Sequence, residues 1–349
     1  MHPHAQTTLL LALTSAVTAC SDVTAPDRAA RPTPASPSAI LVQGPQCSLI
    51  SPCPTVINND MLFSRTLSTY QLGNTVYMLP NVHVRRSDGT ITKLAVGDDG
   101  EWDWPKKRIV FAGYERFDPP AVPTSRFVSK IFVMNADGSG QTQLTFGSAS
   151  VIDHAPTWSP DGQHIAFVSN RNGGDHIYVM NADGSNVVAL TSNLGAGNLQ
   201  LLTHDADPAW SPDGTRIAYA HDVLSTHTIQ SLKPDGTGSA VLVSSTAAMR
   251  HPSWKPDGTA IAFDYPNVPY CDVRVSSVVG GPSYELNPPS FAGLSYCGYV
   301  RWSPNGQQLL FTANTAGYQP KLFTVRASDG ANLTAITDGY ESDHDTAWR

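Results

Sequence analysis

Four short segments place imidazole, carboxylate or guanidinium groups three to five residues ahead of a tryptophan. They are Asp153 and His154 before Trp158, Asp205 and Asp207 before Trp210, Arg250 and His251 before Trp254, and Asp343, His344 and Asp345 before Trp348. Imidazoles beside carboxylates can hold a divalent cation, the carboxylates favouring calcium and the imidazoles zinc or manganese. The same groups can instead receive the basic or polar groups of a protein partner. Loop aspartates also commonly accept hydrogen bonds from adjacent backbone. The sequence has no His-Glu-x-x-His, no Gly-x-Ser-x-Gly and no phosphate loop ending in Lys-Ser or Lys-Thr. These residues are therefore expected to form a partner-binding surface, with no catalytic residue, no metal and no cofactor.

They recur because the chain repeats every 44 to 56 residues, counted between Trp102, Trp158, Trp210, Trp254, Trp302 and Trp348. A period of that size marks stacked supersecondary units. In the clearest copy, Trp158-Ser159-Pro160-Asp161-Gly162 ends one strand and turns into the next. Pro160 fixes φ, Asp161 bonds local backbone, and Gly162 takes a left-handed conformation. The runs Ile165–Val168 and Ile177–Met180 are apolar without alternation, so both their faces must be covered. Ala182-Asp183-Gly184 makes a further turn. One unit is then a four-stranded antiparallel sheet that hides its faces only by stacking on neighbours. Ten Asp-Gly pairs fit many tight turns, and only 4 of the 29 acids are Glu, which disfavours a helical bundle.

The repeat is out of step at its two ends. Met61 to Leu94 supplies three strands with no Trp strand ahead of them, while Asp343 to Trp348 is a Trp strand with no unit after it. Pairing the two predicts an all-β fold, a closed six-bladed β-propeller over residues 57–349, with the C-terminal strand completing the first blade. In such a ring the segments preceding each Trp gather at one mouth of the central channel.

Trp158-Ser159-Pro160-Asp161-Gly162, Trp210-Ser211-Pro212-Asp213-Gly214, Trp254-Lys255-Pro256-Asp257-Gly258 and Trp302-Ser303-Pro304-Asn305-Gly306 resemble the repeats of TolB-type propellers. So does the segment from Ile177 to Gly184. The resemblance implies a non-catalytic protein-interaction module of the cell envelope that binds a protein partner at the channel mouth. Oligogalacturonate lyases resemble the same repeat and use a metal at that mouth, an alternative carried by His154, His251 and His344. A glycan or small-ligand binder is a further alternative.

Residues 1–19 contain no Asp, Glu, Lys or Arg, and their apolar run from Leu9 to Val17 is too short for a mature membrane span. An export signal is expected. Val17-Thr18-Ala19-Cys20 resembles a lipoprotein cleavage site, implying a lipid on Cys20 and a periplasmic or outer-membrane-anchored protein. Residues 20–56 are Pro-rich and read as a tether. Cys47, Cys53, Cys271 and Cys297 allow three pairings in an oxidising compartment, of which the local one, Cys47 with Cys53 and Cys271 with Cys297, is expected. A net charge of -7 without a run of Lys or Arg disfavours nucleic-acid binding. A monomer that meets the membrane only through its anchor is expected.

Overall fold

The computed structural model describes residues 60–72, 75–103, 107–117, 126–192, 203–265, 271–279, 283–286, 291–315, 320–337 and 343–348. The expected export signal, Cys20, the tether, Cys47 and Cys53 lie outside the described residues.

The described chain is a succession of antiparallel strands. The first six are β1 (Met61–Leu72), β2 (Thr75–Arg85), β3 (Ile91–Trp102), β4 (Arg108–Phe117), β5 (Arg126–Asn135) and β6 (Thr142–Gln143). Then come β7 (Asp153–Trp158), β8 (His164–Ser169), β9 (His176–Asn181) and β10 (Val188–Ala189), followed by β11 (Thr203–Trp210), β12 (Ile217–Val223), β13 (Thr226–Leu232) and β14 (Ala240–Ser245). The last are β15 (Arg250–Trp254), β16 (Ala260–Tyr265), β17 (Asp272–Ser277), β18 (Tyr284–Leu286), β19 (Ser295–Trp302), β20 (Gln308–Asn314), β21 (Pro320–Arg326), β22 (Thr334–Ala335) and β23 (Asp343–Trp348).

The expectation of six blades is corrected here. The strands form five sheets: a seven-stranded one in the order β23-β1-β2-β3-β4-β5-β6, then β7 to β10, β11 to β14, β15 to β18 and β19 to β22. The blades number five because two repeats share β3. Its first half pairs with β2, Val96 lying opposite Asn81, and its second half pairs with β4, Gly97 lying opposite Gly113. After β6 and after β14 a described loop separates the outer strand from the following Trp strand, whereas here one strand serves both. Gly97 permits the change of partner, since a Cβ there would meet Phe111 Cδ2 at 2.6 Å and the Ala112 carbonyl oxygen at 2.7 Å. Leu62, Val82 and Val84 from one half of this sheet pack on Ile109, Phe111 and Met134 from the other, giving it a core of its own.

β23 pairs antiparallel with β1, Met61 facing Trp348 and Phe63 facing Thr346, so the C-terminal strand completes the first sheet. The remaining cores lie between adjacent sheets, each stacked on the next as the apolar runs require. Ala166, Val168 and Ile177 meet Ile217 and Tyr219, for example, and Ala218, Ala220 and Ile229 meet Ile261 and Phe263. Trp158, Trp210, Trp254, Trp302 and Trp348 each belong to or pack against one such core, and Trp102 sits in the core within the first sheet. Removing a large apolar side chain from water contributes about 1.5–3 kcal/mol, so these wedges hold the ring together.

The Trp-Ser-Pro-Asp-Gly turns are locked by their serines. Ser159 Oγ donates to Asp161 at 2.5 Å and accepts the His164 amide at 2.9 Å, and Gly162 has φ 66°. After Trp102 the sequence departs from this pattern, and Asp103 takes the serine's place, its Oδ1 accepting the Lys107 and Arg108 amides at 2.7 and 2.8 Å. Cys271, just ahead of β17, forms a disulfide with Cys297 in β19 and so links two neighbouring sheets.

Candidate functional site

The Trp strands line the channel, and each described one is interrupted in the same way. Register slips occur between Asp98 and Glu101, His154 and Thr157, Ala206 and Ala209, Arg250 and Ser253, and Gly298 and Arg301. Each slip is a bulge that puts the residue three before the Trp in the left-handed region. Asp99 has φ 51°, Ala155 48°, Asp207 53°, His251 50° and Tyr299 56°. For residues other than glycine this costs of order 1–3 kcal/mol each, so the surrounding sheet has to enforce it. A matching slip in β23 leaves Asp345 unpaired between His344 and Thr346.

The bulges link the sheets hand to hand. Asp99 Oδ2 accepts the Ala155 amide at 2.9 Å, and Asp207 Oδ2 accepts the His251 amide at 3.1 Å. Across the next seam, the Tyr299 amide lies 3.2 Å from His251 Nδ1. Ala155 has no side-chain acceptor to continue the series. Two positions further on, Glu101 Oε1 accepts the Thr157 hydroxyl at 3.0 Å, a second tie between β3 and β7.

These residues enclose the mouth. A cavity of about 280 Å³ is lined by Asp98, Asp99, His154, Asp207, His251 and Tyr299, and a narrower space of about 30 Å³ continues inward past Glu101 and Arg301. His251 Nδ1 lies 2.8 Å from Asp264 Oδ1, and the Tyr299 ring centre sits 4.1 Å from that of the imidazole. Burial pushes the Asp99 carboxyl up to about 6, helped by Asp98 and Asp207. Burial likewise pushes Glu101 up to about 7, against the opposing pull of Arg301. Burial also raises Asp264 despite His251 beside it. Burial works against charge on His251 and Asp207 too, but is outweighed: Asp264 and Asp207 raise the imidazole, while His251 and the two arginines Arg250 and Arg301 keep Asp207 low. The mouth is thus a negatively biased well whose protonation changes near neutral pH, suited to receiving basic or hydrogen-bond-donating groups.

Of the residues expected at the mouth, His154, Asp207 and His251 line it. Asp153 is fully buried instead, its Oδ1 2.9 Å from Arg171 Nη2 and its Oδ2 4.0 Å from Lys130 Nζ. Asp205 is fully buried as well, held by the His176 and His221 imidazoles at 3.1 and 2.5 Å and by the Thr191 hydroxyl. Arg250 points its guanidinium at Asp222, which also meets His227 at 2.7 Å. Asp343, His344 and Asp345 lie in β23, their side chains outside the description. Sequence reasoning missed Asp99, Glu101, Tyr299, Arg301 and Asp264. Four of them were signalled by register alone, at three or one residues before Trp102 and Trp302; Asp264, on β16, carries no such signal. Among the described residues, no group of three or more His, Cys, Asp or Glu converges to hold a metal ion.

The sequence matches the TolB beta propeller domain family over residues 122–269. TolB from Acinetobacter baumannii superposes with a TM-score of 0.62 at 16% identity, covering 84% of this chain and 67% of that one. The fold is that of a TolB-like β-propeller. Dipeptidyl-peptidase 5 of Porphyromonas gingivalis is 27% identical over 223 residues, which is 64% of this TolB-like chain but only 29% of the peptidase. An oligogalacturonate lyase in complex with manganese has a TM-score of 0.52 at 14% identity, covering 75% of this chain and 77% of the lyase. At such identities the structural likenesses speak for the fold alone.

Proposed function

We propose that this TolB-like propeller is a non-catalytic protein-interaction module of the cell envelope that takes a protein partner at the channel mouth. The supporting observation is the row of left-handed residues, one from each of β3, β7, β11, β15 and β19, set around a negatively biased well. A rigid ring that presents side chains from several sheets binds by many simultaneous contacts without reordering loops. Export rests on the uncharged, apolar leader, and anchoring on Cys20.

Two experiments test this reading. In a pull-down from envelope extract, the partner recovered by the wild-type chain is expected to drop at least about tenfold with Asp207→Ala/His251→Ala, a loss of about 1.4 kcal/mol or more. Undiminished recovery by a variant with a native circular dichroism spectrum would move the binding surface elsewhere. Cys20→Ser is expected to shift the protein from the membrane pellet to the soluble fraction, and continued sedimentation with membranes would remove the anchor.

A further inference from the structure

The outer strands of the sheets are unequal. Among the described residues β6, β10 and β22 have two residues each and β18 has three, whereas β14 has six. A very short outer strand blunts its edge, because few N–H and C=O groups are left facing outward. β14 has no such protection. It reads Ala240-Val241-Leu242-Val243-Ser244-Ser245, and from Gly236 to Met249 the chain carries no charged residue and no proline. Among the described residues only β13 pairs with it, so no strand covers its outward backbone row. A bulge at Leu242, between the pairs Gln230–Val241 and Ile229–Val243, lets Leu242 and Val243 both pack on the core around Ile261 and Phe263. Val241 is left 57% exposed.

Beside this edge runs a groove of about 670 Å³ between the sheet β11 to β14 and the sheet β15 to β18. Ala240 and Leu242 form one wall, and Trp254, Pro256 and Val278 form the other. The indole N–H of Trp254 is taken by the Ala209 carbonyl at 3.0 Å, so that ring offers an occupant only apolar surface. The charged groups of the groove are engaged by their own neighbours. Arg216 donates to the Ser231 hydroxyl and to the Ser231 and Gly238 carbonyls, Asp213 accepts from Ser211 and Thr215, and Asp257 meets Lys255 at 2.6 Å. Row and groove share Ala240 and Leu242, and together they specify an occupant. The row accepts another extended backbone, and the groove accepts its alternate side chains. Those side chains are apolar, since groove charges of both signs, already bonded, favour neither an anion nor a cation in a partly dehydrated trench.

We propose that the β14 edge and the groove beside it bind an extended, uncharged, apolar segment of a partner protein by strand addition. The segment lies along β14 as a further strand of that sheet and buries alternate side chains against Leu242, Trp254 and Val278. The groove is bounded by the turns that follow Trp210 and Trp254, away from the mouth residues that precede them. The assignment therefore does not depend on the partner at the mouth.

Fluorescence anisotropy of a fluorescein-labelled Thr-Val-Thr-Val-Thr-Val amide, titrated with the full chain, tests it. Saturable binding in the micromolar range is expected. Val241→Lys sets a charge on the exposed edge and should weaken binding at least about tenfold. Val188→Lys, at a 46% exposed position of the short β10, should leave it unchanged. Two altered peptides keep the test decisive if Val241→Lys fails to fold: one N-methylated at every residue, which has no N–H to donate, and one with Lys at each Val. Both should bind wild type at least about tenfold more weakly than the parent peptide. The proposal is overturned if the parent peptide does not bind, if either altered peptide binds as well as the parent, or if folded Val241→Lys binds as well as wild type. It is also overturned if light scattering finds a dimer of the chain that Val241→Lys dissociates, which would give the edge to a second copy.

Discussion

Replacing Phe63 with alanine is expected to lower the free energy of unfolding by about 3–5 kcal/mol, the range for emptying a buried aromatic site. Phe63 is 1% exposed on β1 and packs with Met61, Leu310, Leu322 and Ile336, with Trp348 against the same cluster. That cluster joins the last four-stranded sheet to the first sheet, so the substitution loosens the ring at its closing seam. A loss of this size is a large part of the 5–15 kcal/mol that typically separates a folded domain from its unfolded chain. Urea denaturation would read it as a lower midpoint with an unchanged slope. Val279, 91% exposed, is the matched control, and its change to alanine should stay within about 0.5 kcal/mol. A Phe63→Ala effect as small as the control's would mean that the seam contributes nothing to stability.

The second large effect is on pH dependence. Asp99 and Glu101 hold their protons in the folded protein up to about 6 and about 7. In the unfolded chain both ionise near their ordinary values of about 4. Between those limits the folded state binds more protons than the unfolded state, so stability falls as pH rises through roughly 4 to 7 and levels off above. At 1.36 kcal/mol per unit of displacement, each group removes up to about 3 kcal/mol by pH 8. Asp99→Asn keeps an oxygen to accept the Ala155 amide and carries no charge. It should therefore raise the melting temperature at pH 8 and leave it unchanged at pH 4. Glu101→Gln should act in the same direction but less, because it also removes a carboxyl that interacts favourably with Arg301 when ionised. A flat wild-type profile across this window, or equal shifts at both pH values, would show that the two carboxyls are not held protonated.

Much of the architecture could be read from residue order. The Trp-Ser-Pro-Asp-Gly turns, the apolar middle strands and the orphan strand at Asp343–Trp348 each predicted the element that is found. The blade count failed at one place. Between Leu94 and Trp102 the chain has no loop, and Asp99-Gly100, which reads as a turn, is a bulge within a continuous strand. What a strand does when it changes partners depends on how closely the neighbouring sheet approaches, and Gly97 shows this only once Phe111 is seen beneath it.

The mouth was half readable for a related reason. Proximity to Trp was the right signal, but position within the strand decides the outcome. Residues three before the Trp are turned to the channel by the bulge, which brings Asp207 and His251 there. Asp153 and Asp205, two places earlier, point into the sheets and are consumed by Arg171 and by two imidazoles. No composition or motif distinguishes those neighbouring positions. The bulge does, and it follows from pairing geometry that a single chain segment does not reveal.

The antiparallel pairing of Met61 with Trp348 also fixes how the ring would respond to force. Both strands leave the seam side by side at the same end, so a load that pulls residue 60 away from residue 348 acts on one rung at a time instead of shearing all rungs together. Peeling of β23 would then be the first mechanical failure, at low tension, while the neighbouring sheets stay intact.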